Sequence, residues 1–439
     1  MNKFLPINNK KIGILGAARS GLAAAQLANK LGAKVFLTDI KNSSNIKIDG
    51  INCEFGKHSD KILESDLIIK SPGIKKNSKI IKRINDSSIP IVSEIEFASW
   101  FTNGFIIALT GTNGKTTTVE LINSILKNDG LVSFLGGNIG VPFSTNVLHE
   151  QDNLNNKQIF HVLEISSFQL EDIKYFKPNI SIILNISPDH LDHHASFNDY
   201  LDAKLKITMN QDSDCHAIIN ERNILSLHKK SKAKQITFKV SKNDSFFIKD
   251  KKIELDIKNS LLKGKHNYEN ILSAFIACNL CGLNKKSIIN SINTFKSLPH
   301  RLEKITFKLD YIFYNDSKAT NLHATCAAID SLESNIVLIL GGIDKNNTDF
   351  SVLKKYQNKI QKIVLYGESR NFINEQIADY FDIYSYKNFG EAIYKSIKVA
   401  QDKNTVLLSP ACASFDQFKN YEERGNYFKK IIYSYYEKN

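Results

Sequence analysis

No stretch of this 439-residue chain approaches the ~20 consecutive apolar residues needed to cross a bilayer, and its opening, MNKFLPINNKK, has no apolar core of the length a secretory leader carries. The expectation is a cytoplasmic protein with no membrane partner. Cysteine is sparse, six residues at 53, 215, 278, 281, 326 and 412, without the spacing of a secreted disulfide framework, so free thiols are expected. Cys278 and Cys281 form a CxxC, but within the apolar helical run HNYENILSAFIACNLCG, where small thiols pack as core. Short repeats, low-complexity tracts and coiled-coil seams are missing too, and a monomer is expected. Lys and Arg number 58 against 45 Asp and Glu, a formal charge of +13. No basic stripe interleaved with aromatics and no zinc-finger or RNA-binding signature accompanies that excess, so it reads as a Lys-rich composition over solvated faces, with no nucleic-acid partner.

What is present suits a folded protein of two or three domains: 42% hydrophobic and 23% charged residues exclude disordered and collagenous classes. KIGILG reads as a buried strand, ARSGLAAAQLANKLG as a helix closed by Gly32 and AKVFLTD as the next strand, followed by LIIKSPGI and IPIVSE. A second round starts at FIIALTG, runs through the helix KTTTVELINSILKND and the strands QIFHVLEIS and NISIILNIS to an amphipathic FNDYLDAKLKITMN, then alternates as a small β-meander in KQITFKVSKNDSFFIKDKKIELDIK. A third round carries YIFYNDS, NIVLILGG, KIVLYGE, FDIYSY and TVLLSPA. The predicted fold is α/β, three tandem domains: Rossmann-like over 1–103, a P-loop domain with a mostly parallel sheet and the meander over 104–299, and Rossmann-like over 300–439.

LTGTNGKTTTVE follows a strand and opens a helix, so Gly111, Asn113 and Gly114 can turn backbone N–H groups toward phosphate, Lys115 can reach the β/γ-phosphates and Thr116 can offer its hydroxyl to Mg²⁺. Leu109 stands where G-x-x-x-x-G-K-[ST] has its first Gly. Glu164 ends a neighbouring strand and is placed to meet the same metal. NISPDHLDHH gathers Asp189, His190, Asp192, His193 and His194; without a partner motif, zinc is disfavoured against Mg²⁺ and phosphate, and His193 and His194 are expected to be merely solvated. In the first domain GILGAARSGLAAA, with Asp39 at the next strand's end, only loosely matches a dinucleotide fingerprint, and Ser71 with Gly73 forms a second strand-end turn at the same sheet edge. From residues alone Lys204 reads as a solvated helix lysine.

In order, and over nearly the whole chain, these motifs resemble the Mur ligase family of ATP-dependent amide-forming enzymes. TGTNGKTTT preceded by Leu109 is that family's form of the loop, and LEISSFQLE, NDSKATN (315–321) and SPACASFDQFKNYEERG (409–425) are similar to its D-glutamate-adding branch. The resemblance implies ATP held by Gly111, Thr112, Asn113, Gly114, Lys115, Thr116 and Thr117, with Asn270, Arg301 and Asp316 on its adenine, phosphates and ribose. It implies two Mg²⁺ ions with Thr116, Glu164, His190 and a Lys204 carbamylated by CO₂, and a catalytic set of Lys115, His190 and Lys204. It further implies UDP-N-acetylmuramoyl-L-alanine against Ser20, Asp39, Ser71, Gly73, Asn138, Ser166 and Gln169, and D-glutamate against Thr320, Lys345, Ser414, Phe415 and Tyr421. Three departures stand out: Arg19 where relatives often have an apolar residue beside the uracil, Lys41 in place of an arginine, and one extra residue after Lys345 in GGIDKNNTDF. Competing readings are a relative that adds another amino acid or acts on folate, a nucleic-acid-stimulated P-loop ATPase, and an NAD-binding dehydrogenase.

Overall fold

The computed structural model of the chain describes residues 7–42, 48–153, 157–189, 193–223, 231–296, 299–306, 312–344, 347–400 and 404–437. Three sheets follow one another along it. In the first, β1 (Lys11–Leu15), β2 (Lys34–Asp39), β3 (Ile51–Phe55), β4 (Leu67–Lys70) and β5 (Ile91–Ser93) lie in the order β3-β2-β1-β4-β5, all parallel. The second holds β6 (Phe105–Thr110), β7 (Val132–Gly137), β8 (Ile159–Glu164), β9 (Ile180–Ile183), β10 (His216–Asn220), β11 (Lys234–Val240), β12 (Phe246–Ile248) and β13 (Lys251–Ile253). Its order is β13-β12-β11-β10-β9-β6-β8-β7, parallel except for the antiparallel β11-β12-β13 meander. The third holds β14 (Glu303–Thr306), β15 (Ile312–Asn315), β16 (Ile336–Gly341), β17 (Ile360–Tyr366), β18 (Asp382–Tyr386) and β19 (Thr405–Ala411) in the order β14-β15-β19-β16-β17-β18, with only β14 antiparallel.

The central strands are largely apolar because helices cover both faces of a parallel sheet. Every residue of β8 and of β16 is buried. Strand order reverses beside β1, β6 and β19, and open α/β sheets form ligand crevices at the carboxyl ends of strands flanking such a reversal. Those of the predicted site residues that are described cluster at those three places. β3, β7 and β10 are not signalled in the sequence: INCEF and CHAIIN are too short and too polar at their ends, and VSFLGG carries two glycines.

Backbone contacts divide the chain into two compact units, residues 1–258 with 269–293, and 259–268 with 294–439. The first unit contains the first two sheets. One apolar cluster runs through it, from Ile12, Leu27 and Leu37 by way of Phe97 and Trp100 to Phe143, Leu163 and Ile183. The short helix Glu94–Ser99, capped by the Ser93 hydroxyl, carries two buried acids into that junction. The Glu96 carboxylate accepts the N–H groups of Lys174 (2.9 Å), Tyr175 (2.9 Å) and Phe176 (2.7 Å) and the Trp100 indole N–H (2.7 Å). Such charge-assisted bonds contribute roughly 1.5–3 kcal/mol each, enough to offset the burial of one charge. Glu94 accepts the Ser144 N–H (2.5 Å), and burial pushes its carboxyl up to about 7. Lys70, also buried, lies 3.0 Å from Asp172 across the same junction. In the second unit, separate apolar clusters fill the two faces of the third sheet, one around Leu338 and Leu365 and one around Val337 and Phe389.

Candidate active site

At the end of β6 the chain turns through Gly111–Gly114 into the 14-residue helix Lys115–Asn128, and Gly114 is the helix's N-cap at φ +81°. A Cβ there would stand 2.3 Å from Oδ1 of the buried Asn270, so both the backbone angle and the close approach require glycine. The loop is held open from its far side. Asn185, just past β9, accepts the Asn113 N–H at its Oδ1 (2.8 Å), donates to the Asn113 carbonyl (3.0 Å) and accepts the Thr112 N–H at its own carbonyl (2.7 Å). The Thr112 hydroxyl bonds the Ser187 carbonyl (3.1 Å) and the Tyr200 hydroxyl (3.0 Å). Lys115 folds back over this arch and donates to the carbonyls of Gly111 (2.9 Å) and Thr112 (2.8 Å). A glycine arch feeding a helix N-terminus with a lysine across its mouth is an anion cradle, so a polyphosphate fits it.

Beside the cradle, Glu164 at the end of β8 is almost wholly buried, accepting the Thr116 hydroxyl (2.7 Å) on one oxygen and the Asn138 amide (2.8 Å) on the other. Hard oxygen donors on a buried carboxylate next to a phosphate loop fit Mg²⁺. Lys204 completes the group, and here the residue-only expectation of a solvated lysine is overturned. Its side chain is buried, donates to the Gly111 carbonyl (2.8 Å) and the Thr110 hydroxyl (3.4 Å), and rests 4.7 Å from the centre of the Tyr200 ring one helical turn earlier. Burial, with the Lys115 charge nearby, holds the Lys204 ammonium well below the ordinary lysine range.

His190 lies outside the described residues. His193 and His194 are not merely solvated, contrary to expectation. His194 is buried, stacked on Phe168 with Nε2 2.9 Å from the Ser167 hydroxyl, and His193 sits 3.4 Å from Glu171. The reason is the helix Ser167–Leu170 beneath them, which gives two imidazoles an aromatic face and an acid to pack on.

At the first sheet's reversal, Asp39 accepts the Ala17 N–H (2.7 Å) and the Lys41 N–H (2.8 Å), one on each oxygen, and the Ser71 hydroxyl donates to the Gly16 carbonyl (3.1 Å). Both side chains shape the turn that begins the helix Arg19–Lys30. Gly21 lets that helix settle onto the turn, since a Cβ there would meet the Gly16 carbonyl at 1.8 Å. Ser20, half-buried, opens the same helix, and Gly73 is exposed with nothing near its Cβ position. Arg19 donates to the Gly140 carbonyl (3.3 Å), reaching the loop after β7. Ser166 and Gln169 form a reciprocal capping box on the helix Ser167–Leu170, and the Asn138 N–H bonds the Glu164 carbonyl (2.8 Å).

In the second unit the candidates gather at the ends of β15 and β19. Asp316 is buried, accepting the Ser409 hydroxyl (2.8 Å) and the Leu302 N–H (3.2 Å), and burial pushes its carboxyl up to about 7. Arg301 is half-buried and acts electrostatically on Asp316. Ser414 is buried, Phe415 and Thr320 are exposed, and the Lys318 ammonium stands 3.8 Å from the centre of the Tyr421 ring. Lys345 lies outside the described residues. Asn185, Tyr200, Ser409 and Arg424 were not singled out in the sequence, although Asn185 lies in NISPDHLDHH, Ser409 and Arg424 in SPACASFDQFKNYEERG, and Tyr200 at i,i+4 spacing from Lys204.

Residues 109–278 match the family described as Mur ligase middle domain, and residues 300–412 match Mur ligase, glutamate ligase domain. A relative from Thermoanaerobacter pseudethanolicus named UDP-N-acetylmuramoylalanine–D-glutamate ligase is 38% identical over 98% of this chain and 99% of its own length. One of the same name from Bacteroides fragilis is 37% identical over 96% and 99%. Among solved structures, a pseudomurein peptide ligase type C from Methanothermus fervidus superposes with a TM-score of 0.60 at 19% identity over 97% of this chain and all of that one. MurF ligase from Thermotoga maritima in complex with ADP gives 0.64 at 13% identity over 98% and 96%, a likeness of fold. The chain is therefore a ligase of the Mur ligase family, grouped with the relatives that bear the D-glutamate ligase name.

Proposed function

We propose that this chain joins D-glutamate to the alanyl carboxyl group of UDP-N-acetylmuramoyl-L-alanine, using ATP and releasing ADP and phosphate, in the cytoplasmic synthesis of peptidoglycan precursors. The observation that carries this reading is the convergence at the end of β6 of an anion cradle, a buried carboxylate and a buried amine. Residues 104–299 receive ATP through Gly111–Thr117 and Asn270, residues 1–103 receive the UDP moiety near Ser20, Asp39, Ser71 and Gly73, and residues 300–439 supply Thr320, Lys345, Ser414, Phe415 and Tyr421 to the amino acid. The enzyme acts as a monomer.

The substrate carboxylate is a poor acylating group, and transfer of the γ-phosphoryl group onto it gives a mixed anhydride that an amine can attack. Lys115, which now spans the arch, turns to the transferring phosphoryl group and spreads its charge. Two Mg²⁺ ions, when bound, would neutralise the phosphate oxygens, with Thr116 and Glu164 holding one, His190 near the second and the carbamate of Lys204 as a further oxygen ligand. Lys204 is suited to carbamylation because its buried amine is readily neutral: nitrogen adds to CO₂, sheds a proton and becomes an anionic oxygen donor where an ammonium would repel metal. Asn138 and Thr116 fix both oxygens of Glu164 so that the carboxylate keeps its orientation. The D-glutamate amine then attacks the acyl carbon and phosphate leaves.

With ATP, Mg²⁺ and the UDP-sugar present, phosphate release should require an amino acid and prefer D-glutamate within a panel of D- and L-amino acids. Equal rates with L-glutamate overturn the specificity. Oxygen-18 in the alanyl carboxyl group should appear in the released phosphate, and its absence overturns the anhydride route.

A further inference from the structure

Arg424 is fully buried and the bulkiest such side chain among the described residues. It stands in the first turn of the helix Tyr421–Glu437, where a cation opposes the helix dipole. Its hydrogen-bond partners are all neutral, and its charge also acts on the buried Asp316 carboxyl. Nε donates to the Ser317 hydroxyl (2.9 Å), one terminal nitrogen to the Ser317 carbonyl (2.7 Å), and the other to the Tyr366 hydroxyl (3.0 Å) and the Cys412 carbonyl (3.1 Å). Removing Arg424 would leave those buried acceptors unpaired at roughly 1–3 kcal/mol each, so it contributes to stability, but where the acceptors lie points further.

What those partners share is location. Ser317 opens the turn after β15, Tyr366 ends β17 and Cys412 follows β19, so one planar fork ties together the carboxyl ends of strands around the third sheet's reversal. Ser317 also donates to the Tyr421 carbonyl (2.8 Å). Thr320, Ser414 and Tyr421 lie two or three positions from Ser317, Cys412 and Arg424 respectively. We infer that Arg424 is a positioning residue for the amino-acid substrate: its guanidinium sets the spacing of the turn bearing Thr320, the loop bearing Ser414 and the helix start bearing Tyr421, and its charge biases that pocket toward a dicarboxylic acid. This inference rests on the assignment of those three residues to the amino-acid pocket. A lysine cannot replace it, because a point ammonium has no fork with which to hold three segments at once.

The test is steady-state kinetics of the full chain with each substrate varied in turn, after wild type has been assayed against the amino-acid panel to identify its acceptor. Arg424→Met and Arg424→Lys should raise KM for that amino acid by about tenfold or more while KM for the UDP-sugar stays within about twofold. Tyr366→Phe keeps the charge and removes one bond, and should raise the amino-acid KM by about threefold. An unchanged amino-acid KM in a folded Arg424 variant, or equal rises in KM for every substrate, overturns the inference. If neither Arg424 variant folds, an unchanged amino-acid KM in Tyr366→Phe overturns it. A wild type that prefers another amino acid defeats the substrate assignment and leaves Arg424 to be judged with that acceptor.

Discussion

Lys204 shows how far one side chain's chemistry depends on where it is buried. In water it would be an ammonium; beneath the phosphate arch, over the Tyr200 ring, its charged form is disfavoured. Lys204→Met should keep the fold yet lower ligase turnover on the order of a hundredfold or more, since an anionic metal ligand would be lost. Wild-type activity should fall in CO₂-stripped buffer and return with bicarbonate, whereas residual activity of the variant should not respond. A smaller effect is expected at Thr116: Thr116→Val removes the hydroxyl that Glu164 accepts and should raise KM for ATP by about tenfold in assays with Mg²⁺ held constant.

Among the elements, the strand, arch and helix from β6 to Asn128 are the most exacting. Gly114→Ala would place a methyl group against Asn270 at a left-handed backbone angle, costing about 1–2 kcal/mol of stability from conformation alone. Chemical denaturation should register that loss together with weaker nucleotide binding. This element was legible in the sequence because all its determinants are local: an apolar strand, glycines at fixed offsets, Lys115, Thr116 and a long helix. Glu164 was legible as a strand-end acid for the same reason. Asp39 was visible as an acid at a strand end, and Ser166 and Gln169 only through the family resemblance, but not that their atoms already staple a turn or close a capping box, because a residue's partners are not written beside it. Lys204, His194 and Arg424 were misread or missed because burial is decided by elements far away in the chain; Lys204 meets Gly111 across 93 positions and Arg424 meets Ser317 across 107.

On the scale of the whole molecule, the first unit is bound together by Glu94, Glu96 and Lys70 as well as by apolar packing. The folded Glu94 carboxyl keeps its proton up to about pH 7, whereas an unfolded one loses it near 4.5, so stability should fall as pH rises between those values, by a total on the order of 3 kcal/mol. Glu94→Gln should abolish that slope in urea titrations repeated across pH. Glu96→Ala should destabilise the unit in the same urea titrations, leaving buried N–H groups without an acceptor at roughly 1–3 kcal/mol for each. The four-donor seat of Glu96 also bears on how such enzymes can be recombined. A chimaera spliced at residue 103, carrying a foreign first segment onto the native remainder, would strip Lys174, Tyr175 and Phe176 of their shared acceptor unless the donor sequence brought an equivalent acid to that depth. The junction is thus a matched lock whose two halves must be transplanted together.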